Sequence, residues 1–241
     1  MTHTGFAQTA SLIGDPSRAA MLLQLMDGRA LPAGELARRA RISPQTASAH
    51  LGKLVAGGLL ALETHGRHRY YRLRGPEVAQ ALEGLLILSP PGPVRSLRES
   101  EERKALRFAR TCYDHLAGRV GVRLAEQLTH RGWLTRLDAP SAAGKWELTP
   151  AGEEALAAFG LDIPALRRSR RAFARPCLDW MERRHHLAGA LGAALTARLF
   201  ELGWLRRHPS SRAVILTEAG RTGLHDAFGV SPDTDENGRE S

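Results

Sequence analysis

The chain has 241 residues, of which 34 are Lys or Arg and 25 are Asp or Glu, giving a formal net charge of +9. This basic excess favours a polyanionic partner. Hydrophobic residues make up 43% and charged residues 24%, a globular composition that excludes a wholly disordered chain, a collagen and a coiled-coil rod.

The two cysteines exclude a disulfide scaffold and are typical of a reducing compartment. No apolar run reaches the roughly 20 residues of a membrane span, and no secretion signal precedes the first helix. We therefore expect a soluble, cytoplasmic protein.

Changes in composition divide the chain into five predicted segments. Clustered prolines and a glycine at 89–93 prevent helices and strands from continuing and predict a boundary. The segments are an N-terminal domain (1–88), a linker (89–94), two C-terminal repeats (95–164 and 165–230) and a disordered tail (231–241).

Helix signals follow one another in the N-terminal segment. The first predicted helix begins at Asp15, an N-cap residue followed by proline, and the second follows Pro32. Ser43 as N-cap and Pro44 at the first helical position predict a third helix, which ends at the paired glycines 57–58. The turn between the second and third helices has three residues.

A hairpin and a last helix are predicted after the third helix. Two apolar runs, at 59–62 and 70–73, are separated by the polar residues 64–68, which is the pattern of a β-hairpin. Pro76 begins the last helix. Two helices joined by a short turn and followed by a hairpin form a winged helix-turn-helix. We therefore expect an α+β fold class, mainly α with short β-hairpins.

The outward positions of the third helix carry short hydrogen-bonding side chains and one cation, which suit base edges in the major groove. Basic residues at the hairpin tip suit phosphates or the minor groove. Residues 1–75 hold ten Lys or Arg and four Asp or Glu, which agrees with a DNA-binding domain. The alternative is a surface helix beside a solvated basic loop. The predicted DNA contacts are Ser43, Gln45, Thr46, Ser48, His50 and Lys53 on the helix and Arg67, His68 and Arg69 at the tip.

The stretch SPQTASAHLGKLVAGGLLALETHGRHRYYRL, residues 43–73, resembles the recognition helix and wing of ArsR-type bacterial transcriptional repressors. The resemblance extends back to about Asp15 and covers about a third of the chain. It implies a homodimer that binds double-stranded operator DNA and is released by an inducer. Many members of that family sense metals through cysteines on the second helix or through Asp and His on the last helix. Neither site transfers, because residues 35–38 read Glu-Leu-Ala-Arg and the helix at 76–88 lacks Asp and His.

The second half of the chain contains a duplication. Residues 115–136 and 186–207 share 11 identities in 22 aligned positions. Each copy is predicted as a helix, a Gly-Trp-Leu segment, a hairpin and a further helix, which is the order of a degenerate winged-helix unit. The copied helices are rich in Gly, Ala, Val and Leu, so we expect the copies to pack on each other, with dimerisation or a ligand cleft where they join.

Both cysteines precede the copied helices, and an aspartate follows each of them two residues later. One interpretation is structural: the thiols lie in the core, and Asp114 and Asp179 cap the helices that follow. A second is a sensor site for a thiophilic metal or metalloid; a third is a redox or electrophile switch. No cofactor is certain from the sequence. The candidate metal ligands are Cys112, His115, Cys177, His185 and His186.

These patterns predict a sequence-specific DNA-binding transcriptional regulator, a repressor released by an inducer that the C-terminal repeats sense. The inducer is a metal, a metalloid, an oxidant or a small organic molecule held in a tryptophan-lined cleft. One alternative is an architectural DNA-binding protein without an inducer. The other, a cysteine-dependent enzyme, is disfavoured because neither thiol lies in an activating motif.

Overall fold

The computed structural model describes residues 3–66, 68–90, 96–137, 145–209 and 211–231. The chain folds as two compact units, Met1–Ser89 and Pro90–Ser241. Both consist of helices and short antiparallel hairpins, which confirms the predicted α+β class. Residues 91–94 of the predicted linker and 232–241 of the predicted tail lie outside the described ranges. Within those ranges, no helix is long and apolar enough to cross a membrane.

The first unit is a helical domain with a three-stranded antiparallel sheet, in which β3 lies between β1 and β2. Its elements are α1 (His3–Gly14), α2 (Pro16–Gln24), β1 (Leu31–Pro32), α3 (Ala33–Ala40), α4 (Pro44–Ala56), β2 (Leu60–His65), β3 (His68–Leu73) and α5 (Pro76–Leu88). The sequence did not predict α1 or β1. Residues 4–11 of α1 are all exposed, so no apolar stripe marks the helix, and β1 has only two residues.

Side-chain caps begin the two helices that the sequence marked most clearly. The Arg18 N–H donates to Asp15 Oδ1 at the start of α2 (2.9 Å), and the Thr46 N–H donates to Ser43 Oγ at the start of α4 (3.1 Å). Such caps each stabilise a helix by about 1 kcal/mol. The inner face of α4 presents Ala47, Leu51 and Leu54, which are fully buried.

The second unit contains two successive copies of the order hairpin, helix, hairpin, helix, with one additional short helix in the first copy. Its elements are α6 (Leu97–Phe108), β4 (Arg110–Cys112), β5 (His115–Ala117), α7 (Gly118–His130), β6 (Leu134–Leu137), β7 (Lys145–Leu148), α8 (Pro150–Ala158), α9 (Ile163–Arg167), β8 (Arg175–Leu178), β9 (His185–Ala188), α10 (Gly189–Glu201), β10 (Leu205–Arg207), β11 (Val214–Leu216) and α11 (Glu218–Phe228). The hairpins that precede α7 and α10 were not predicted.

The two copies pack reciprocally, since α7 contacts β9 and α10 contacts β5. Glycines let each helix approach its own hairpin closely. A Cβ added to Gly121 would lie 2.5 Å from the Leu116 carbonyl oxygen, and one added to Gly192 would lie 2.3 Å from that of Leu187. These contacts are too short for any side chain. Gly121 and Gly192 are therefore required where α7 and α10 approach their own hairpins.

The expectation that Asp114 and Asp179 cap the helices that follow them was wrong. A hairpin strand separates each aspartate from its helix, and the N-caps of α7 and α10 are Ala117 and Ala188, which make no side-chain cap. Asp179 instead accepts a hydrogen bond from the Gly118 N–H at 2.7 Å. It therefore caps α7, the helix of the other copy.

Candidate DNA-binding surface and metal centre

The outer face of α4 is polar, exposed and free of carboxylates. Gln45, Ser48 and Lys53 are exposed, and the helix contains no Asp or Glu. Ser43 and Thr46 are also exposed, with their hydroxyl oxygens 2.8 Å apart. Short side chains of this kind allow a helix backbone to come near base edges. The surface is fixed from behind because the opposite face of α4 lies in the core.

His50 differs from the other predicted contacts on α4. It is half-buried, and its Nδ1 lies 3.4 Å from the Arg18 guanidinium. Arg18 also donates to the Leu12 and Ser11 carbonyl oxygens, at 2.6 and 2.8 Å. His50 therefore lies where α1, α2 and α4 meet, and part of its ring is held by the domain itself.

The β2–β3 hairpin, which we call the wing, carries the predicted tip residues. His68 and Arg69 are exposed, and Arg67 lies outside the described residues. Lower on the hairpin, Glu63 and Arg72 form an ion pair across the strands. The described part of the tip thus presents a cation and an imidazole to solvent.

In the second unit, four of the five predicted metal ligands come together. Each hairpin that precedes a copied helix places a cysteine opposite a histidine, Cys112 opposite His115 in the first copy and Cys177 opposite His186 in the second. Residues paired across antiparallel strands project from the same face. Because β5 contacts β9, the two pairs meet. We call these four residues the Cys/His cluster. His185 is exposed at the start of β9 and lies outside the cluster.

The ligand atoms of the Cys/His cluster are close and shielded from solvent. All four lie within 4.8 Å of one another, and the two sulfur atoms are 3.9 Å apart. Cys112, His115 and His186 are buried, whereas Cys177 is half-buried. Neither cysteine is in a disulfide. The His115 and His186 rings lie side by side with centroids 5.1 Å apart.

A carboxylate lies behind each imidazole. Asp114 Oδ1 is 3.2 Å from His115 Nδ1, and its Oδ2 accepts a hydrogen bond from Arg171 at 2.6 Å. Asp179 Oδ2 is 3.6 Å from His186 Nδ1 and 2.9 Å from the buried Arg110 guanidinium. Both aspartates are thus held by arginines and face the Nδ1 side of a histidine.

The surroundings shift the pKa values of the two imidazoles in opposite directions. Burial alone lowers the pKa of His115, but the negative charge of the Cys112 thiolate and the hydrogen bond to Asp114 outweigh burial and raise it to about 9. Burial, followed by repulsion from His115, holds the pKa of His186 well below its usual value. Burial also acts to raise the pKa of Asp114, but the His115 and Arg171 hydrogen bonds lower it to about 2. The two imidazoles of the cluster therefore differ in how readily they hold a proton.

Comparison with known proteins identifies the class of the chain. A family model described as a helix-turn-helix domain matches residues 13–63. The HTH-type transcriptional regulator YdfF of Bacillus subtilis (strain 168), itself uncharacterised, is 51% identical over 228 residues, which cover 95% of this chain and 99% of YdfF. The chain belongs to the HTH-type transcriptional regulators. This confirms the class of protein that the ArsR-type resemblance implied, a regulator and not an enzyme.

Solved structures match a smaller part of the regulator. HlyU from Vibrio cholerae N16961 is 27% identical and covers 35% of this chain and 91% of its own, with a TM-score of 0.33. The cadmium metal-sensor CMTR from Mycobacterium tuberculosis is 28% identical and covers 38% of this chain and 99% of its own, with a TM-score of 0.31. YdfF, in contrast, matches the regulator over nearly its whole length, the second unit included.

Several residues around the Cys/His cluster could not be assigned from the sequence. Arg110, fully buried, lies against Asp179 and over the Trp180 ring, 5.2 Å from its centroid. The Thr196 hydroxyl accepts a hydrogen bond from the Leu116 N–H at 2.8 Å and so joins α10 to the hairpin of the other copy. Thr196 is the one polar side chain in residues 188–197, which was the available signal for this contact.

Proposed function

We propose that the regulator is a sequence-specific repressor that binds double-stranded operator DNA with the outer face of α4 and the wing. The observation that carries the proposal is the two-sided character of α4. One side is locked into the core by Leu51 and Leu54, while the other exposes Gln45, Ser48 and Lys53 without a carboxylate. A face of this composition suits a groove between two phosphate backbones.

Different residues of this surface have different tasks. Gln45 lies in the first turn of α4, the part of a recognition helix that meets base edges, and its amide can pair with adenine N6 and N7 in the major groove. Ser48, one turn further along, suits either base edges or phosphates. Lys53 and Arg69 suit phosphates, which supply affinity without sequence preference.

The second unit supplies the sensor in this proposal. The regulator acts in the cytoplasm as a homodimer on a two-fold operator, with half-sites about one helical turn, roughly 10 to 11 base pairs, apart. An inducer releases the DNA only if it binds better to the conformation that fits the operator poorly. The buried Cys/His cluster, which links the two copies, is the part of the second unit whose side chains are suited to an inducer of defined chemistry.

The test compares affinities for a selected operator and for random duplex. The operator is first recovered from a library of random duplexes with the full-length regulator. Gln45→Ala should weaken operator binding by about 1–3 kcal/mol, because a side chain that pairs with a base edge is lost, and should leave binding to random duplex unchanged. Arg69→Gln should weaken both equally. Lys104→Gln removes an exposed cation of α6 and serves as the charge-matched control.

Equal losses on operator and random duplex after Gln45→Ala would contradict the role of α4 in base contact. If the library yields no enriched sequence and the wild-type chain still binds duplex tightly, the protein is an architectural DNA-binding protein instead. A change of sequence preference in Arg69→Gln would contradict the assignment of the wing to phosphates.

A further inference from the structure

We propose that Cys112, His115, Cys177 and His186 form a four-ligand site for a divalent thiophilic ion of the zinc class. An ion bound at this site would be the inducer that the second unit senses, and in that respect the proposal rests on the proposed sensor function. Its existence as a metal site is independent of DNA binding.

The spacing of the sulfur atoms matches the edge of a zinc–thiolate tetrahedron. Two thiolates that bind one tetrahedral zinc ion at about 2.3 Å are separated by about 3.8 Å, and Cys112 Sγ lies 3.9 Å from Cys177 Sγ. A disulfide would require roughly 2.05 Å. All four ligand atoms lie within 4.8 Å of one another. Side-chain rotations would shorten the longer separations to the edges of one tetrahedron.

Buried imidazole nitrogens without partners are the second, independent observation. Within the described residues, His115 Nε2 and both ring nitrogens of His186 are buried and make no hydrogen bond. His115 and His186 are only 3% and 0% exposed. An unsatisfied buried polar atom destabilises a fold. A metal ion bound at the two Nε2 atoms would give each of those two atoms a partner.

An aspartate lies on the Nδ1 side of each histidine, and Asp114 is close enough to orient His115. Asp114 engages Nδ1 of His115, which leaves Nε2 directed to a ligand. Asp179 lies on the Nδ1 side of His186. Histidines that bind metals ordinarily have such a carboxylate on the other nitrogen, which fixes the ring and raises its basicity. Asp114, which is within hydrogen-bond distance of its histidine, is therefore a positioning residue.

Charge balance selects a divalent ion. Two thiolates carry a charge of −2, and a divalent ion neutralises them in a site that is mostly shielded from water. The surrounding ion pairs, Asp114 with Arg171 and Asp179 with Arg110, are already balanced. Two sulfur and two nitrogen ligands suit zinc and its congeners better than magnesium or calcium, which prefer oxygen.

Two ligands come from each copy of the duplication, so a bound ion would join the β4–β5 hairpin to the β8–β9 hairpin. With four protein ligands the site is closed, which is typical of structural and regulatory zinc rather than catalytic zinc. The ion would stabilise one arrangement of the two copies and thereby bias operator binding.

The experiment is a titration of the full-length, reduced, chelator-treated regulator with Co²⁺, followed by Zn²⁺. We expect one Co²⁺ per chain, with the visible absorption bands of tetrahedral cobalt and a sulfur-to-cobalt charge-transfer band, both abolished by one equivalent of Zn²⁺. Cys112→Ser and Cys177→Ser should each remove the charge-transfer contribution of one sulfur and weaken binding at least tenfold.

Matched variants separate ligands from neighbours. His186→Gln should weaken Co²⁺ binding, whereas His185→Gln, which changes the exposed neighbour, should leave affinity and spectrum unchanged. Asp114→Asn should lower the affinity for Zn²⁺ roughly 10- to 100-fold while the stoichiometry stays at one, as expected for a group that orients a ligand. Circular dichroism before titration confirms that each variant is folded.

Failure of the folded, reduced wild-type chain to bind Co²⁺ or Zn²⁺ would overturn the proposal, and so would cobalt spectra without a sulfur contribution. If the chain binds no metal and mild peroxide forms a Cys112–Cys177 disulfide, the two cysteines are a redox pair and not part of a metal site. Because the titration contains no DNA, its failure leaves the operator proposal intact. Loss of operator binding in metal-free and metal-loaded protein alike would instead contradict the proposed function while leaving the metal site in place.

Discussion

At the scale of single residues, Ser43 and Ser48 show how one helix separates stability from recognition. Both serines are exposed on α4, but Ser43 Oγ accepts the Thr46 N–H and caps the helix, whereas Ser48 lies in the middle of the helix and faces outward. The cap was predictable because its signal is local, a serine followed by proline. The half-buried state of His50 was not, because it depends on Arg18, 32 residues earlier.

Substitution of Ser43 by alanine should destabilise α4 by about 1 kcal/mol, since one N–H at the helix start loses its partner. Amide hydrogen exchange of residues 44–50, followed by mass spectrometry, should quicken about fivefold. Ser48→Ala is the matched control and should leave exchange unchanged while weakening operator binding. Equal exchange in both variants would contradict the capping role.

At the scale of elements, the helices with strong start signals were predicted, whereas the hairpins that precede α7 and α10 were not. The β4–β5 hairpin has three residues in each strand and turns through Tyr113 and Asp114, neither of which is glycine or asparagine. Tyr113 has a φ of 60°, a left-handed conformation uncommon for tyrosine. Propensity therefore gave no turn signal, even though this hairpin builds half of the Cys/His cluster.

Substitution by alanine should have opposite effects on stability at two helical glycines. Gly192→Ala should destabilise the second unit by about 1–3 kcal/mol, because the new methyl group would overlap the Leu187 carbonyl oxygen. Gly84→Ala should stabilise the first unit by up to about 1 kcal/mol, because a Cβ there meets nothing within 4 Å and alanine favours the helix. Denaturant titration of both full-length variants measures the signs. Stabilisation by Gly192→Ala would contradict the close packing of α10.

The contact between the copies depends on the buried ion pair of Arg110 and Asp179, which the sequence could not indicate. Asp179 and Gly118 are 61 positions apart and meet only because α7 packs on the other copy. Asp179→Asn should destabilise the chain by about 3–5 kcal/mol, because it leaves the Arg110 charge buried and uncompensated. Glu153→Gln, which removes the exposed partner of Arg167, should change stability by less than about 1 kcal/mol. Similar losses in both variants, measured by urea denaturation, would contradict this assignment.

At the scale of the whole molecule, the charge of +9 predicted a polyanionic partner before any element was assigned. Affinity for the operator should therefore fall steeply with salt, because each neutralised phosphate releases counterions and contributes about −0.9 to the log–log slope. Fluorescence anisotropy at several salt concentrations measures the slope. Arg69→Gln should reduce its magnitude by about 1 for each phosphate that the variant no longer neutralises. A slope unchanged in that variant would exclude Arg69 from phosphate binding.

The winged helix-turn-helix pattern and the ArsR-type resemblance thus predicted the class of the protein, but long-range contacts decided which residues meet. The sequence supplied five candidate ligands, and the strand registers of two hairpins selected four of them and excluded His185. Such registers depend on the tertiary packing of α7 and α10 rather than on local preference.

Methylation interference on the selected operator tests most directly whether α4 occupies the major groove. Dimethyl sulfate places a methyl group on guanine N7, which lies in that groove. Methylated guanines should block the wild-type regulator in two half-sites about one helical turn apart. Binding that tolerates N7 methylation throughout the operator would contradict the account.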